Sequence, residues 1–266
     1  MKPTPSFESL LLAVEDRGVA RMTLNRPKTH NALNAELIDD LHRAADWLST
    51  AKGIRALVLT GAGKTFCAGG DLQWMKQNIT RTRAERVAES STLAHMLCAL
   101  NALPMPVIGR INGPAYGGGV GMISVCDIAI AVDTGLYSLT EVRLGLLPAN
   151  IAPYVVARMG EANARRTFLT GHRMTATEAR RLGLVSEVVT REQLDAAVER
   201  ELADLLQCAA GAVAATKKLI SYVNSHDLQS SITYAVDELA NAWETDNGRE
   251  GIDAFFSRRS PAWHQG

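Results

Sequence analysis

The stretch Ile111-Asn112-Gly113-Pro114-Ala115-Tyr116-Gly117-Gly118-Gly119-Val120 decides the interpretation of this chain. It follows an apolar run that begins at Val107, and a helix-like segment comes after it. An earlier segment, Lys64-Thr65-Phe66-Cys67-Ala68-Gly69-Gly70-Asp71-Leu72, has the same setting. Loops of this kind present unpaired backbone N–H groups at the start of a helix, and glycine lets a ligand oxygen approach them closely. Two such loops brought together predict an oxyanion hole, and therefore an enzyme.

Strand-like and helix-like patterns alternate on both sides of these loops. The predicted elements are a hairpin over 7–24, a helix capped by Asn34 and ending near Ser49, a strand over 54–60, a helical stretch from Leu72 to about Leu100, and strands over 107–111 and 127–132. Each strand is short and apolar on both faces, which is typical of parallel strands covered by helices. The pattern therefore predicts an α/β fold.

The strand pattern ends near Val189, and the rest of the chain has helical patterns. The predicted helices cover 191–209, 212–223, 228–247 and 250–256. We place a boundary near residue 200, with a core over 1–200 and a helical region over 201–266. Helices with apolar faces and little core of their own usually pack against something else, so we expect this region to mediate oligomerisation.

Charge and cysteine usage exclude several classes of protein. The chain has 266 residues, with 28 Lys+Arg, 28 Asp+Glu and a formal net charge of +0, which argues against a protein-wide footprint for nucleic acid or an anionic membrane. Its cysteines form no C-x-x-C pair and its histidines lack ligand spacing, so no metal site is predicted. The N-terminus lacks the pattern of a signal peptide, and the longest glycine-and-apolar run stops at Asp127, too early to cross a bilayer. We expect a soluble cytoplasmic protein.

Several motifs, in order, carry a resemblance to a known family. They are Asn25-Arg26-Pro27, Asn31-Ala32-Leu33-Asn34, Phe66 to Leu72, Asn112 to Gly119, Glu141 to Pro148, and Phe255 to Pro261. With them the chain resembles the enoyl-CoA hydratase/isomerase (crotonase) superfamily along nearly its whole length. The resemblance implies a crotonase-like superhelix of repeated ββα units, assembled as a trimer or a dimer of trimers. It also implies an acyl-CoA thioester as substrate, with coenzyme A as part of that substrate and no separate cofactor.

The resemblance assigns the catalytic groups. The two oxyanion donors would be the backbone N–H groups of Ala68 and Gly118, and Glu141 would be the acid/base. The physics agrees, because a thioester carbonyl becomes an enolate when a nucleophile adds at C3 or a proton leaves C2, and two preorganised donors stabilise that charge. A carboxyl group in an apolar pocket has its pKa raised toward the range useful for proton transfer. The other interpretation of Glu141, a salt bridge with Arg143, stays open.

One position departs from the family pattern. Hydratases with two glutamates carry a second carboxylate three positions after the oxyanion glycine, and here that position is Gly121. A single carboxylate could deliver both parts of a water molecule, or it could move a proton between C2 and C4 as in single-glutamate isomerases. The segments 117–127, 139–143, 147–153 and 260–263 resemble a bacterial subgroup described as methylglutaconyl-CoA or carboxygeranoyl-CoA hydratase-like. That resemblance favours hydration of a branched substrate with a distal carboxylate.

Two further side chains are candidates for the acyl pocket. The amide of Asn150 could orient a water opposite Glu141, although an Asn at this position could equally cap the following helix. Arg143 is the nearest cation in the sequence for a distal carboxylate, although it could also pair with an acidic neighbour.

The family binds coenzyme A mainly through backbone, with basic and aromatic side chains from the C-terminal tail. Arginine is well suited to phosphate groups. The predicted contacts are Arg26, Lys28, Ala32, Ala68, Gly69, Gly70, Asp71, Leu72, Gly117, Gly118, Phe255 and Arg258.

Three functions remain open from the sequence. The first is hydration of an enoyl-CoA, which could be a branched or carboxylated thioester such as 3-methylglutaconyl-CoA. The second is a Δ3,Δ2-enoyl-CoA isomerase that uses a single Glu. The third, of a different class, is a non-catalytic or RNA-associated subunit with the crotonase fold, which the neutral charge and the presence of Glu141 disfavour.

Overall fold

The computed structural model describes residues 3–264. Its strands are β1 (Leu10–Val14), β2 (Val19–Leu24), β3 (Ala56–Gly61), β4 (Val107–Ile111), β5 (Ala115–Tyr116), β6 (Ile128–Val132), β7 (Leu136–Ser138), β8 (Met174–Thr175) and β9 (Glu187–Val189). Its helices are α1 (Ala35–Thr50), α2 (Leu72–Thr80), α3 (Arg83–Asn101), α4 (Gly118–Ser124), α5 (Ala152–Phe168), α6 (Ala176–Arg181), α7 (Leu194–Leu206), α8 (Ala210–Ser225), α9 (Leu228–Glu244) and α10 (Asp246–Phe256). Helices alternate with strands up to β9, which confirms the predicted α/β class.

The larger sheet brings the two glycine-containing loops together. It has six strands in the order β1-β2-β3-β4-β6-β9. β1 and β2 form the predicted antiparallel hairpin, and the remaining neighbours pair in parallel, as predicted. Because β3 and β4 are parallel neighbours, the loops after them leave the same edge of the sheet. The loops then pair with each other: the N–H of Tyr116 donates to the carbonyl of Cys67 at 3.0 Å, and the N–H of Phe66 donates to the carbonyl of Pro114 at 3.0 Å.

A smaller sheet fixes the segment that carries Glu141. It contains three strands in the order β5-β7-β8, and its parallel register places Tyr116 opposite Ser138. One residue later, the N–H of Gly117 donates to the carbonyl of Ser138 at 3.0 Å. The end of β7 is therefore hydrogen-bonded to the loop that contains Gly117. Glu141 lies in the 3-10 turn Thr140–Leu144 that comes after β7.

The core of the larger sheet explains why these elements hold their positions. β3 is buried through Leu57, Val58 and Leu59, each no more than 1% exposed. Helix α1 begins where the side chain of Asn34 accepts a hydrogen bond from the N–H of Leu37 at 3.0 Å, and it buries one apolar face. Burying each large aliphatic side chain contributes roughly 1.5–3 kcal/mol. The sheet edge that carries the loops is thus a rigid support.

The predicted helical stretch from Leu72 to about Leu100 is divided into two helices, α2 and α3. Thr82 is extended and starts a new helix with a capping box: its hydroxyl accepts from the N–H of Glu85 at 3.3 Å, and the Glu85 carboxylate accepts from the N–H of Thr82 at 2.7 Å. The boundary between the predicted helices 228–247 and 250–256 lies earlier than predicted, since Thr245 is extended and its side chain caps α10. Local capping chemistry overrides helical periodicity at both places.

The described chain divides into two compact units. The first holds residues 3–103 and 107–198, and the second holds 104–106 and 199–264. Within the second unit the indole N–H of Trp263 donates to the carbonyl of Gln207 at 3.1 Å, and Arg259 donates to both carboxylate oxygens of Glu250. Helices α8 to α10 expose a set of large apolar side chains, here termed the C-terminal apolar set: Ile220, Val223, Leu228, Ile232, Val236, Leu239, Trp243, Phe255 and Phe256. Between residues 3 and 264, no helix has the length and apolar character needed to cross a bilayer.

Candidate active site

A cavity of about 470 Å³ in the first unit collects residues from both glycine loops and from the turn after β7. Its size falls within the range of ordinary small-molecule pockets. Among the residues that line it are Gly70, Arg86, Gly118, Glu141, Asn150 and Ile151. The structure thus brings Gly118, Glu141 and Asn150 together, although they are far apart in the sequence.

Gly118 presents an N–H group that the fold leaves without an acceptor. It is the first residue of α4, so its N–H has no intrahelical partner, and no acceptor for it is found within residues 3–264. The loop is compact at this point, since a Cβ added to Gly119 would lie 2.4 Å from the carbonyl oxygen of Cys67. Gly118 can therefore act as a hydrogen-bond donor toward the cavity.

The structure corrects the assignment of the second donor. The N–H of Ala68 already donates to the carbonyl of His30 at 3.0 Å, and Ala68 does not line the cavity. Farther along the same loop, the N–H of Leu33 donates to the carbonyl of Gly69 at 2.7 Å, and the N–H of Asp71 donates to the carbonyl of Leu33 at 2.9 Å.

This pairing decides which amide is available. In a parallel bridge, the residue between the two bonded groups turns its own N–H away from the partner strand. That residue is Gly70, which forms an isolated parallel bridge with Leu33 and lines the cavity. No acceptor for the N–H of Gly70 is found in the described part of the chain. Gly70, not Ala68, supplies the second available amide.

Glu141 lies against the glycine loop with one oxygen unpaired. A Cβ added to Gly117 would lie 2.8 Å from Oε1 of Glu141, so the carboxyl group lies directly on that residue. Oε2 is buried and has no hydrogen-bond partner in the described structure. Burial raises the pKa of this carboxyl group above its ordinary value, and a hydrogen bond with its own backbone opposes the shift only in part. No ion pair joins Glu141 to Arg143 among the described residues, because the Arg143 guanidinium donates to the carbonyl of Thr170, so the salt-bridge interpretation is not supported.

The position of the missing second carboxylate is filled by a neighbour. A Cβ added to Gly121 would lie 2.3 Å from Cγ2 of Ile151 and 2.8 Å from its Cβ. A glutamate at this position would therefore collide with Ile151, which is 2% exposed. The departure from the two-glutamate pattern is built into the packing as well as into the sequence.

Asn150 does not cap the following helix. The N-cap position of α5 is Ile151, and no side chain makes a cap hydrogen bond there. Instead, Oδ1 of Asn150 accepts a hydrogen bond from the hydroxyl of Ser90 at 3.0 Å. Because its oxygen is held in this way, the amide of Asn150 has a fixed orientation at the cavity wall.

Arg143 is not in the acyl cavity, and that prediction was wrong. Its guanidinium donates through Nε and Nη2 to the carbonyl of Thr170 at 3.4 Å, and its side chain packs beside Gly171. The cation that does line the cavity is Arg86, on the first turn of α3.

The residues predicted to contact coenzyme A divide into two groups. Arg26 and Asp71 have structural partners: the guanidinium of Arg26 pairs with the Asp71 carboxylate at 3.1 Å and donates to the carbonyl of Ala32. Asp71 also caps α2 by accepting from the N–H of Gln73 at 2.9 Å; although burial opposes it, the bond from Arg26 lowers the pKa of Asp71. Arg26 and Asp71 thus tie the loop together, and the phosphate contact of Arg26 stays a prediction.

The other contacts with coenzyme A stay predictions. Lys28 and Leu72 are exposed, while Gly69 has φ +85° and packs against the carbonyl of Tyr116. Phe255 and Arg258 lie in the second unit and do not line this cavity.

Neither the Cys67 thiol nor a metal-binding cluster offers a second reactive site among the described residues. Burial raises the pKa of the Cys67 thiol to about 12, although the N–H of Gly69 and the charge of Arg26 favour the thiolate. A thiol in that state is a poor nucleophile. Among residues 3–264, no group of three or more His, Cys, Asp or Glu side chains is arranged to hold a metal ion.

Comparison with known proteins identifies the family of this chain. A family profile described as Enoyl-CoA hydratase/isomerase matches residues 15–266. The chain belongs to the enoyl-CoA hydratase/isomerase family. Family membership confirms the prediction of an enzyme, a lyase of the enoyl-CoA hydratase type, and the crotonase fold.

Individual relatives match over most of their length. An enoyl-CoA hydratase of Alternaria alternata, ACTT6, is 35% identical over 208 residues, which cover 78% of this chain and 68% of that protein. The crystal structure of an enoyl-CoA hydratase from Shewanella pealeana superimposes with a TM-score of 0.93 at 33% identity, covering 97% of this chain and 96% of that one. Pseudomonas aeruginosa AtuE has a TM-score of 0.92 at 38% identity, covering 97% of this chain and all (100%) of that one.

Sequence reasoning misses two features of this hydratase-family site. It predicts Gly70 as a binding residue but not as an oxyanion donor, and it does not single out Arg86. Arg86 lies seven positions before Leu93, on the same helix face, but this spacing becomes informative only once the structure places Leu93 at the cavity. For Gly70 the deciding information is the pairing with Leu33, which is tertiary.

Proposed function

We propose that this protein hydrates the C2=C3 double bond of an enoyl-CoA thioester, with Gly70 and Gly118 as oxyanion donors and Glu141 as the acid/base. The observation that supports this most directly is the convergence of two unpaired backbone N–H groups and one buried, unpaired carboxyl oxygen on one cavity. Coenzyme A is part of the proposed substrate, and no other cofactor takes part.

The oxyanion donors would act on the thioester oxygen. As hydroxide adds at C3, the electrons of the double bond move to the thioester oxygen and form an enolate. Two preorganised N–H groups stabilise that charge, and losing one such donor typically costs about 10²–10³ in rate. Both amides belong to backbone that neighbouring hydrogen bonds hold in position, so little reorganisation is needed during the reaction.

A single carboxylate can complete the addition of water. Ionised Glu141 would take one proton from the water as its oxygen bonds to C3, and the same carboxyl group would then give that proton to C2. The hydroxyl group ends on C3 and the proton on C2, so the atoms of one water molecule are accounted for. The raised pKa of Glu141 favours the first half of this exchange, because it makes the carboxylate a stronger base toward the proton of water.

Asn150 would orient the attacking water. Since Ser90 holds the amide oxygen, the amide nitrogen of Asn150 faces a fixed direction at the cavity wall. We expect Asn150→Ala to lower kcat by about two- to ten-fold, because it removes one hydrogen bond that positions the water. Thr92→Ala, an exposed hydroxyl on the same helix as Ser90, is the control and should leave kcat unchanged. Wild-type kcat in Asn150→Ala would remove Asn150 from the proposal.

The proposed substrate class includes branched and carboxylated acyl chains, with 3-methylglutaconyl-CoA as an example. The resemblance of the segments around Gly118 and Glu141 to methylglutaconyl-CoA hydratase-like proteins supports it, as does a cavity of about 470 Å³. The wall of the cavity that includes Leu93, Leu146 and Leu147 suits an aliphatic chain.

We also propose that the protein is a homotrimer or a dimer of trimers in the cytoplasm. The C-terminal apolar set supports assembly, since large exposed apolar groups commonly mark interfaces. Light scattering coupled to size exclusion should return three or six times the chain mass of 28.7 kDa. A monomer at micromolar concentration would refute this proposal.

A panel of enoyl-CoA thioesters tests the proposed reaction. Each thioester is incubated with the protein, the loss of the conjugated absorbance is monitored, and the product is identified by mass. Gain of one water supports hydration. Rearrangement of a 3-enoyl-CoA to a 2-enoyl-CoA without gain of mass would instead assign the isomerase chemistry that Gly121 leaves open, and would overturn the hydratase proposal.

A further inference from the structure

The cation that lines the acyl cavity has no ionic partner in the described structure, and this determines which substrates the site can prefer. We propose that Arg86 selects acyl-CoA substrates whose acyl chain ends in a carboxylate. This inference rests on the proposed function, because it assigns the substrate class of the same site.

Arg86 lies on the face of α3 that looks into the cavity. Arg86 and Leu93 both line the cavity, and Ser90, one turn after Arg86, holds Asn150. Positions i, i+4 and i+7 share one helix face. One face of α3 therefore carries a cation, the support of Asn150 and an apolar side chain, which are the elements needed to bind an aliphatic chain with an anionic end.

The guanidinium is held in place with donors left over. Nε donates to the carbonyl of Asn78 at 2.9 Å, and Nη2 donates to the carbonyl of Ile79 at 3.0 Å, both in the last turn of α2. Among residues 3–264, Nη1 has no hydrogen-bond acceptor. Two bonds to backbone fix the plane of the group without neutralising it, and an arginine held this way is preorganised for a carboxylate.

The acidic residues nearest in sequence are engaged elsewhere. Glu85 accepts from the N–H and hydroxyl of Thr82 at 2.7 and 2.8 Å, and Glu89 pairs with Arg81. Among the described residues that line the cavity, Arg86 is the one cation and Glu141 the one anion. An anionic group on the ligand would thus find at Arg86 a positive charge without an ion-pair partner and be repelled from ionised Glu141, which favours one orientation of the acyl chain.

The anion could belong to the acyl chain or to the phosphates of coenzyme A, and matched substrates distinguish them. Each 2-enedioyl-CoA thioester is compared with the 2-enoyl-CoA of the same skeleton that lacks the terminal carboxylate, for example 3-methylglutaconyl-CoA with 3-methylcrotonyl-CoA, over a series of chain lengths. The readout is the ratio of kcat/KM for the acid to kcat/KM for the neutral partner. Calorimetry supplies a second measure that needs no turnover. It gives the Kd of free coenzyme A, of saturated thioesters with a terminal carboxylate, and of the matching saturated thioesters without one.

We expect the wild-type ratio to exceed one at some chain length and to fall about ten-fold in Arg86→Gln, since a charge-assisted hydrogen bond is lost at an exposed, partly screened site. Arg86→Lys should retain part of the preference, because it keeps the positive charge but loses the planar pair of N–H donors that can bind both carboxylate oxygens. Arg83→Gln is the matched control: Arg83 is exposed on the same helix, does not line the cavity, and its substitution should leave the ratio unchanged. Turnover of the neutral partner reports that Arg86→Gln has folded.

Three results would overturn the inference. The wild-type protein could show no preference for the acid at any chain length, in turnover or in binding. Arg86→Gln could leave the ratio unchanged. Arg86→Gln could also weaken acids, neutral thioesters and free coenzyme A equally, which would assign Arg86 to a phosphate. If no thioester is turned over, the proposed reaction fails, and the binding ratio still decides the role of Arg86.

Discussion

Gly117→Ala tests the contact on which the proposed chemistry depends most. Gly117 has φ +47°, and a Cβ there would lie 2.8 Å from Oε1 and 3.4 Å from the carboxyl carbon of Glu141. Ordinary van der Waals contact begins at 3.4 Å. Oε1, at 2.8 Å from the added Cβ, would therefore have to move by about 0.6 Å to reach that limit. Misplacing a reacting group by about 1 Å can cost on the order of 10²-fold in rate. We therefore expect kcat to fall about ten- to a hundred-fold.

The substitution also has a cost in stability that must be separated from this loss. An alanine held at positive φ costs of order 1–3 kcal/mol. Gly160→Ala is the matched control, because Gly160 has φ +75° and a Cβ there would meet nothing within 4 Å. Both variants should unfold at lower denaturant concentration than the wild type, while Gly117→Ala alone should lose turnover.

The assay is the initial rate of enoyl-CoA hydration per folded molecule, with the folded fraction taken from circular dichroism in the same buffer. Wild-type kcat in Gly117→Ala would refute the reasoning, because either the carboxyl group does not lie on Gly117 or its position does not matter. Equal loss of turnover in both variants would assign the effect to backbone strain.

The same geometry leads to three other predictions. Glu141→Gln should lower kcat by about 10²–10⁴-fold while calorimetric binding of a saturated acyl-CoA stays within a few-fold of wild type, and retained turnover would exclude Glu141 as the acid/base. The acid limb of kcat/KM should titrate above the ordinary carboxyl range, because burial raises the pKa of Glu141 and protonation removes the base as pH falls; a pH profile flat through that range would contradict this. Gly121→Glu should not install a second catalytic carboxylate and should lower the free energy of unfolding by about 1–3 kcal/mol, because it collides with Ile151. Adding Ile151→Ala should recover part of that loss in denaturant unfolding, and a Gly121→Glu variant as stable as wild type would refute the steric argument.

The α/β class was predictable because it depends on local patterns. Short runs that are apolar on both faces, such as the one in β3, occur where helices cover a parallel sheet, and Asn34 marks the start of α1 by its capping chemistry. The break between α2 and α3 was missed although its signal is also local, since Thr82 and Glu85 form a capping box. There the helical periodicity of the surrounding residues hid the cap.

The choice between Ala68 and Gly70 could not be made from the sequence in the same way. Both are small residues in one loop, and either amide is chemically suitable. The carbonyl of His30, more than thirty positions earlier in the chain, accepts from Ala68 at 3.0 Å, while Leu33 pairs on either side of Gly70. Which N–H is left unpaired therefore depends on how these two distant segments of the chain pair with each other.

The choice between Arg143 and Arg86 as the cation that lines the cavity also depends on tertiary structure. Arg143 is two residues from Glu141, but its guanidinium turns to the carbonyl of Thr170, whereas Arg86 reaches the cavity because α3 packs its first turn beside the end of α2. The sequence by itself determined the class of fold, the family motifs, the glycine loops and the single carboxylate, because these depend on residue identity and local periodicity. Only the tertiary structure decided which amides and which cation share the cavity with Glu141, because hydrogen-bond partners and cavity walls are made by segments distant in the chain.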